Sequence, residues 1–519
     1  MENLKDAIAY GLSKNVYKDL KPYQGTVIEQ YMSGKDVLFC SPTGSGISLS
    51  FEIAPFLFQY LEHKQAECTC IVVSPLAALM KAQVQELNKC GIKALYLMDS
   101  ETQSQPHRSE VNDAANGYYE LIFSSPETLL QGSRDLVMSL SKKGYLKVIF
   151  IDEAHCVKKF GRANTGSKSF PYRPFYGALG ELRSLSGPRV HVVALTAKAS
   201  QQVREMITKD LCMNKNVFYL SANPNKTNIK YWVLETPRAR GDINKDFNWL
   251  VDFLRTEGIN TPRMIVFFRK IEHIADVYEH LKTLLGRSAY VNYDVTKAND
   301  DRNRLFDMYH LKTDEEVKES IASSYQIPDG HTRVVLCSTA FIMGLDVKGV
   351  NTVIHYGASN DLDDYLQESG RAGRKHNEKC HSIVIKYKMC LSSKNITKDR
   401  KEFIKTGSCR RKVLINPFTE ENTIIEDHDC CDNFAAKCAC LCFCTSSEMC
   451  CCESKCPQNA SSVYDRMKLF IQKILMLMIL MISVKGMTVI VTLMNTSREN
   501  LLIWTTHQMK INETYSTKI

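Results

Sequence analysis

Short apolar runs recur along the first part of the chain and alternate with longer stretches of helical periodicity. The runs stand at 36–40, 147–151 and 190–195, and within 69–76 and 119–127, where each predicted strand ends in Ser-Pro. A short continuous apolar run bounded by turn residues is typical of a strand that is buried on both faces. Alternation of such strands with helices predicts a parallel sheet with functional loops at the strand ends.

A second unit of the same kind is predicted after residues 221–228, a polar segment with the composition of a linker. Its strands are predicted at 264–268, 332–339 and 352–356. The hydrophobic pattern therefore predicts an α/β fold class with two parallel sheets in tandem.

Composition changes this picture only through the cysteines. The 519 residues allow about three to four domains, and neither the 44% of hydrophobic residues nor the net charge of +9 selects a function. In contrast, 11 of the 20 cysteines lie between Cys409 and Cys456. Because the first residues lack the apolar core of a signal peptide, we expect an intracellular, reducing compartment, which favours a metal site over the alternative of a disulfide framework.

Residues 41–48, Ser-Pro-Thr-Gly-Ser-Gly-Ile-Ser, connect a predicted strand to a helix predicted at 49–54. A strand, a Gly-rich turn and a helix form a phosphate-binding loop, because backbone N–H groups and the positive helix end converge on the anion. The pattern requires a lysine where this chain has isoleucine. We predict nucleotide contacts from Thr43, Gly44, Ser45, Gly46, Ile47 and Ser48, with the Ser48 hydroxyl on magnesium.

Two carboxylates, Asp152 and Glu153, follow the strand predicted at 147–151. Asp152 can hold magnesium, while Glu153 orients or activates the water that attacks a terminal phosphate. Such a pair is more often simply a favourable helix start, but the upstream phosphate loop favours the catalytic interpretation. The amide of Gln24 has the geometry to pair with adenine, although an isolated glutamine is more often a surface residue.

Aromatic and basic residues alternate in the segment 158–176, which includes Phe160, Tyr172, Arg173 and Phe175. Aromatic stacking combined with phosphate neutralisation is how single strands are bound without sequence specificity, which predicts a DNA contact. The alternative is a loop that packs on its own domain. Farther along the chain, Arg371 and Arg374 have a spacing that suits stabilisation of charge on a phosphoryl group across a cleft.

In this order and spacing, the motifs resemble the RecQ type of superfamily 2 DNA helicases from about residue 20 to about residue 440. The resemblance is carried by Leu-Lys-Pro-Tyr-Gln at 20–24, the phosphate loop, Asp-Glu-Ala-His-Cys at 152–156 and Gln-Glu-Ser-Gly-Arg-Ala-Gly-Arg at 367–374. It implies two RecA-like domains that bind ATP and Mg²⁺ between them and single-stranded or forked DNA across their tops. It also implies 3′ to 5′ unwinding, a nuclear location and a role in DNA recombination and repair, with no membrane contact.

The same resemblance implies the roles of individual residues. Gln24 would recognise adenine, Arg374 would be the arginine finger, and Gln367 and Arg371 would sense the nucleotide. Three departures weaken the match: Ile47, Ile342 before Met-Gly at 343–344, and Lys-His at 375–376. Loss of the loop lysine is expected to slow hydrolysis by about a hundredfold or more, since one preorganised donor contributes about 3 to 4 kcal/mol.

The cysteine-rich segment is also part of the resemblance, because Cys-Arg-Arg at 409–411 resembles the start of the RecQ zinc-binding platform. Cys409, Cys431 and Cys438, with Cys430 or Cys440, are the expected Zn²⁺ ligands; free thiols are the alternative. The implied domains are a first helicase domain at 1–225, a second at 226–395 and the zinc-binding segment at 396–456. The tail at 457–519, with an apolar core too short to span a membrane, remains a buried or partner-binding helix or an incorrect gene model.

Three functions remain open from the sequence. The first is a RecQ-like ATP-dependent DNA helicase with impaired hydrolysis. The second is a DNA-binding scaffold that does not turn over ATP, and the third is an RNA helicase. The sequence does not indicate a protein partner.

Overall fold

The computed structural model describes residues 2–41, 46–63, 67–98, 105–162, 170–197, 199–236, 243–291, 303–342, 347–374, 378–419 and 430–435. The chain divides into two units, Met1–Gln472 and Lys473–Ile519, and all of the described residues belong to the first. Among these residues, no helix combines the length and the apolar character needed to cross a membrane.

Thirteen strands lie in the described part of the chain. They are β1 Val37–Cys40, β2 Thr69–Val73, β3 Ala94–Leu97, β4 Leu121–Ser124, β5 Leu146–Ile151, β6 His191–Thr196, β7 Phe218–Ser221, β8 Ile229–Glu235, β9 Arg263–Phe268, β10 Phe306–Tyr309, β11 Val334–Cys337, β12 Val350–Tyr356 and β13 Cys380–Lys386.

Helices alternate with these strands. They are α1 Glu2–Ser13, α2 Pro22–Met32, α3 Leu49–Glu52, α4 Ala54–Leu61, α5 Ala77–Lys89, α6 Gln105–Ala115, α7 Arg134–Lys142, α8 Cys156–Gly161, α9 Glu181–Ser186, α10 Gln201–Asp210, α11 Ile243–Asp246, α12 Asn248–Glu257, α13 Ile271–Leu285, α14 Glu315–Gln326, α15 Leu362–Ser369, α16 Lys398–Lys405, α17 Arg410–Ile415 and α18 Asp432–Ala435.

The strands form two parallel sheets, as the hydrophobic pattern predicts. The first sheet has seven strands in the order β3-β4-β2-β5-β6-β1-β7, and the second has six in the order β10-β11-β9-β12-β13-β8. Every pairing within them is parallel. Because parallel strands all end at the same edge, the loops after β1, β5 and β6 are neighbours in space.

Helices cover both faces of the first sheet, so its central strands are buried on each side. On β1, Leu38 and Cys40 belong to one apolar cluster, whereas Val37 and Phe39 belong to the cluster on the opposite face. This two-sided burial explains why the strands are apolar runs without alternation. The second sheet has its own core, which also includes Cys409, Cys430 and Cys431.

The apolar pattern misses five strands: β3, β7, β8, β10 and β13. Four of them are the edge strands of the two sheets. β7 shows why, since its residues are only partly buried and Tyr219 is exposed. An edge strand has one neighbour fewer and needs fewer apolar residues, so its sequence resembles that of a loop.

Candidate nucleotide-binding site

The loop after β1 begins with a bond to the neighbouring strand, from the Ser41 N–H to the carbonyl of Thr196 (2.9 Å). Thr43, Gly44 and Ser45 lie outside the described residues. Gly46 has φ of +79°, in the left-handed region that favours glycine, and its carbonyl accepts the Leu49 N–H that starts α3 (3.3 Å). In the described part of the loop, Gly46 therefore makes a turn that leads directly into α3, and phosphate binding by the loop stays a prediction.

Ile47 is half-buried and packs against the apolar cluster that covers one face of the first sheet. Its carbonyl accepts the Ser50 hydroxyl at 2.6 Å, which secures the first turn after the loop. Ser48 is also half-buried, and its hydroxyl does not cap α3. The position that carries a phosphate-binding cation in the P-loop pattern is thus an apolar residue anchored in the core.

Gln24 is buried on α2 and its amide is bonded to the loop. Its Nε2 donates to the Gly46 carbonyl at 2.6 Å, and its Oε1 accepts the Lys21 N–H at 2.7 Å. The predicted adenine reader is therefore adjacent to the phosphate loop in space. The sequence pattern did not identify Lys21, whose Nζ lies 3.9 Å from the position that a Cβ on Gly46 would occupy.

The acidic pair lies at the end of β5. The Asp152 Oδ2 accepts the Ser74 hydroxyl at 3.3 Å, and its Oδ1 accepts the Glu153 N–H at 2.9 Å. Glu153 has φ of +49°, which is unfavourable for a residue with a side chain. Its Oε2 lies 3.1 Å from Nδ1 of His155, which is in turn 3.1 Å from the Thr196 hydroxyl. Strained backbone of this kind is common where a structure fixes the direction of a functional side chain.

Two like charges next to each other affect the titration of this pair. Burial, reinforced by the negative charge of Glu153, raises the pKa of Asp152 to about 7, and the bonds from the Glu153 N–H and Ser74 oppose the shift only in part. A divalent cation bound between such carboxylates would relieve both the desolvation and the repulsion. Asp152 therefore fits the predicted role of magnesium ligand on physical grounds.

The second sheet contributes the arginines of the site. Gln367 is buried on α15, and the turn Gly370–Arg374 follows this helix. Arg371 is buried within electrostatic reach of Glu153 on the first sheet; burial lowers its pKa to about 10, against the opposing effect of that carboxylate. Burial also lowers the pKa of Arg374, which is half-buried. The fold thus brings Arg371 to the acidic pair.

The loops of the two sheets are joined by ion pairs that the sequence analysis did not identify. Lys158 Nζ lies 3.4 Å from Asp361 Oδ2, and Lys159 Nζ lies 3.1 Å from Asp364 Oδ1. A third contact runs from the Ser200 N–H to Asp363 Oδ1 at 3.1 Å. The available signal was a Lys-Lys pair directly after the acidic motif and three aspartates at the start of α15.

The segment predicted to contact DNA has a mixed environment. Phe160 is buried between Tyr172 and Tyr176, with ring centroids 5.5 and 5.7 Å away, and Phe175 packs partly on the core. Arg173 pairs with Glu127 through two bonds of 2.5 and 2.8 Å. Tyr172 remains 72% exposed, so it is the ring of the predicted set that is free to stack on a base. DNA binding by these residues stays a prediction.

The cysteine cluster comprises Cys409, Cys430 and Cys431. All three are buried, and their sulfur atoms lie within 4.8 Å of one another. Cys430 Sγ is 3.1 Å from Cys409 Sγ. The backbone of Cys431 forms an isolated parallel β-bridge with the backbone of Tyr231 on β8. Three converging thiols fit a tetrahedral zinc that takes one further ligand, whereas Cys438 and Cys440 lie outside the described residues.

Comparisons with known proteins agree with this geometry. The DEAD/DEAH box helicase family matches residues 21–206, and the helicase conserved C-terminal domain matches residues 245–376. The chain is 28% identical over 456 residues to the ATP-dependent helicase SGS1 of Saccharomyces cerevisiae, a match covering 82% of this chain and 28% of that protein. It is 28% identical over 422 residues to the ATP-dependent DNA helicase RecQ of Haemophilus influenzae, covering 78% of this chain and 60% of that protein. The chain thus spans less than two thirds of the length of either relative.

Among solved structures, the DUF1998 helicase MrfA bound to DNA and AMPPNP superposes with a TM-score of 0.56 at 17% identity, covering 80% of this chain and 52% of that one. The DEAD-box helicase Mss116 bound to single-stranded RNA gives 0.54 at 15% identity, covering 80% and 81%. These similarities concern the fold. They confirm the prediction of two RecA-like parallel-sheet domains in tandem.

The raised pKa of Asp152 predicts a stability difference that depends on pH. Because the folded protein holds a proton that the unfolded chain releases near pH 3.8, the stability contributed by this carboxyl falls as pH rises towards about 7. In protein free of metal and nucleotide, Asp152→Asn is expected to be more stable than the natural chain at about pH 8, where the buried carboxyl must be charged. The advantage should shrink on acidification, as measured by thermal unfolding. The exposed Asp276→Asn is the control, and a constant difference at all pH values would contradict the prediction.

The pair of Lys159 and Asp364 predicts a coupling between the two domains. Lys159→Glu and Asp364→Lys are each expected to lower the thermal midpoint, and the double exchange is expected to recover much of the loss. The interaction energy should be about 1 kcal/mol, since the pair is partly buried and within contact distance. The same exchange of Lys318 and Glu315, a pair within α14, is the matched control and should couple more weakly. Additive effects at Lys159 and Asp364 would exclude a stabilising contact.

Proposed function

Because the chain belongs to the RecQ family of superfamily 2 helicases, we propose that it is an ATP-dependent DNA helicase with 3′ to 5′ polarity and impaired hydrolysis. The observation that supports this most directly is Arg371 of the second domain beside Glu153 of the first. An acidic pair and an arginine turn on opposite sides of one cleft are what phosphoryl transfer to water requires.

The chemistry follows from the positions of the side chains. ATP and Mg²⁺ would supply the reactive phosphate and the charge that polarises it. Gln24 holds the loop and has remaining donor and acceptor capacity for adenine, and Asp152 would hold the metal. Glu153, fixed by its backbone and by His155, accepts a proton from the attacking water. Arg371 and Arg374 stabilise the charge that develops on the transferred group.

Ile47 is the weak point of this assembly. A loop lysine compensates phosphate charge in a site with little water, where each such group contributes several kcal/mol to the transition state. Its replacement by an apolar side chain packed on the core removes that contribution. This observation also favours the second candidate, a DNA-binding scaffold that binds single-stranded or forked DNA without appreciable turnover. We propose DNA recombination and repair in the nucleus as the setting for either activity.

Restoring the lysine is the decisive test. Ile47→Lys is expected to raise DNA-stimulated phosphate release by about a hundredfold, because the Lys stem can cover the apolar surface that Ile47 covers while its ammonium reaches the phosphates. Ile47→Met, which adds length without charge, is the matched control and should leave the rate low. Forked DNA and RNA of equal length are compared as activators, and stronger activation by RNA would support the RNA helicase alternative.

Equal and robust rates in the natural chain and Ile47→Lys would contradict the proposed impairment. If both variants bind forked DNA and neither hydrolyses ATP, the scaffold function is the correct one. If ATP is hydrolysed, strand displacement on forks with opposite tails determines the polarity.

We further propose that the cysteine cluster binds one Zn²⁺. Protein purified without chelators is expected to contain close to one zinc per chain by elemental analysis. Cys431→Ser should lose the metal and lower the thermal midpoint, since a structural zinc contributes directly to folding. Cys90→Ser, at an exposed cysteine far from the cluster in sequence, is the control and should retain the metal. Zinc content that is negligible, or unchanged in Cys431→Ser, would support free thiols.

A further inference from the structure

The segment 225–229 connects β7 of the first sheet to β8 of the second and contacts the arginine turn directly. The ammonium group of Lys226 donates to the carbonyls of Gly370 and Ala372, at 2.7 and 3.2 Å. These carbonyls lie on either side of Arg371. Lys226 therefore fixes the backbone of the turn at the point where Arg371 leaves it.

Asn228 holds the second half of the same turn. Its Nδ2 donates to the carbonyls of Gly373 and Glu378, at 3.3 and 3.0 Å. Gly373 has φ of +66°, and a Cβ there would lie 2.9 Å from Asn228 Nδ2 and 3.0 Å from a carbon of Ile229. The glycine between Ala372 and Arg374 is thus explained by its close approach to this segment.

Arg411 fixes the segment from the other side. Its Nη1 donates to the side chain of Asn225 and the carbonyl of Lys226, at 2.8 and 2.6 Å, and its Nη2 donates to the carbonyl of Ile229 at 2.5 Å. Arg411 is buried on α17, two residues after Cys409. A planar guanidinium with several bonds holds its acceptors in one relative position, which a flexible cation would not do.

The charges around Lys226 are unusual for a structural lysine. Burial and the neighbouring Arg374 and Arg371 lower its pKa to about 8, with Cys380 as the opposing group. A buried cation beside two arginines is unfavourable unless carbonyl oxygens bind it. The two carbonyls of the turn do so, and they hold Lys226 beside Arg371, which itself interacts with Glu153.

We propose that Lys226 is a positioning residue for the arginine turn, and that Arg411 links the turn mechanically to the cysteine cluster through the segment 225–229. The cluster and the turn are then connected by the chain from Cys409 to Arg411, by the hydrogen bonds of Arg411 to the segment, and by those of the segment to the turn. The kinetic part of this inference rests on the proposed function, whereas the structural part does not.

The test compares Lys226→Met, which removes the donors, with Lys226→Arg, which keeps them, in the full chain and in its Ile47→Lys variant. The exposed Lys282→Met on α13 is the matched control. Amide hydrogen exchange over residues 362–374 is expected to increase in Lys226→Met and in Arg411→Lys, with little change over α13. Lys226→Arg and Lys282→Met should exchange like their parents.

In the Ile47→Lys variant, Lys226→Met is expected to lower kcat by about ten- to hundredfold with little change in KM, because a displaced arginine weakens the transition state rather than ATP binding. Lys226→Arg should restore most of the rate. Unchanged exchange at 362–374 in Lys226→Met, or equal loss of kcat in both Lys226 variants, would overturn the positioning role. Unchanged exchange in Arg411→Lys would overturn the link to the cluster. If Ile47→Lys shows no hydrolysis, the proposed function fails and the exchange measurements alone decide the inference.

Discussion

The two domains meet through opposite charges on the loops of their two sheets. The first domain supplies the acidic pair and the lysines of α8, and the second supplies Arg371 and the aspartates that start α15. Burial alone would lower the pKa of Lys159, but the carboxylate of Asp364 raises it above its ordinary value. The domain contact and the chemistry of the site therefore depend on the same electrostatic complementarity, so a change in one is expected to alter the other.

Several contacts of the site are independent of the side chain at position 47. The hydrogen bonds that hold Gln24 to Gly46 and Lys226 to the arginine turn, and the close approach of His155 to Glu153, do not involve the side chain of residue 47. Ile47 satisfies its own surroundings by packing on the core. The fold and the described contacts of the site thus do not depend on a lysine at position 47, which is compatible with either proposed function.

The proposed zinc segment has a structural reason to accompany the second domain. Its cysteines belong to the core of that domain, and the backbone of Cys430 accepts the Tyr231 N–H at 3.3 Å. The adjacent Arg411 binds the segment that supports the arginine turn. The cysteine cluster, although far from the phosphate loop in sequence, is therefore connected through Arg411 to the arginine turn.

The sequence by itself determined the class of fold and the candidates for the site. Strands buried on both faces must be apolar throughout, so the central strands other than β13 and the polar loops that follow them were visible as patterns. The edge strands were not, because they need fewer apolar residues. Likewise, the Gly-rich loop, Asp152 and Arg371 could be identified from local chemistry that does not depend on distant partners.

Only the tertiary structure decided which of these residues act together. Lys226 and Asp364 are ordinary polar residues in the sequence, and their roles arise from neighbours far away along the chain. Phe160 was predicted to contact DNA because aromatic and basic residues alternate around it, yet it is buried between two tyrosines. Charge pairing and packing between segments depend on distances set by the whole fold. Local sequence patterns do not show which distant segments come into contact.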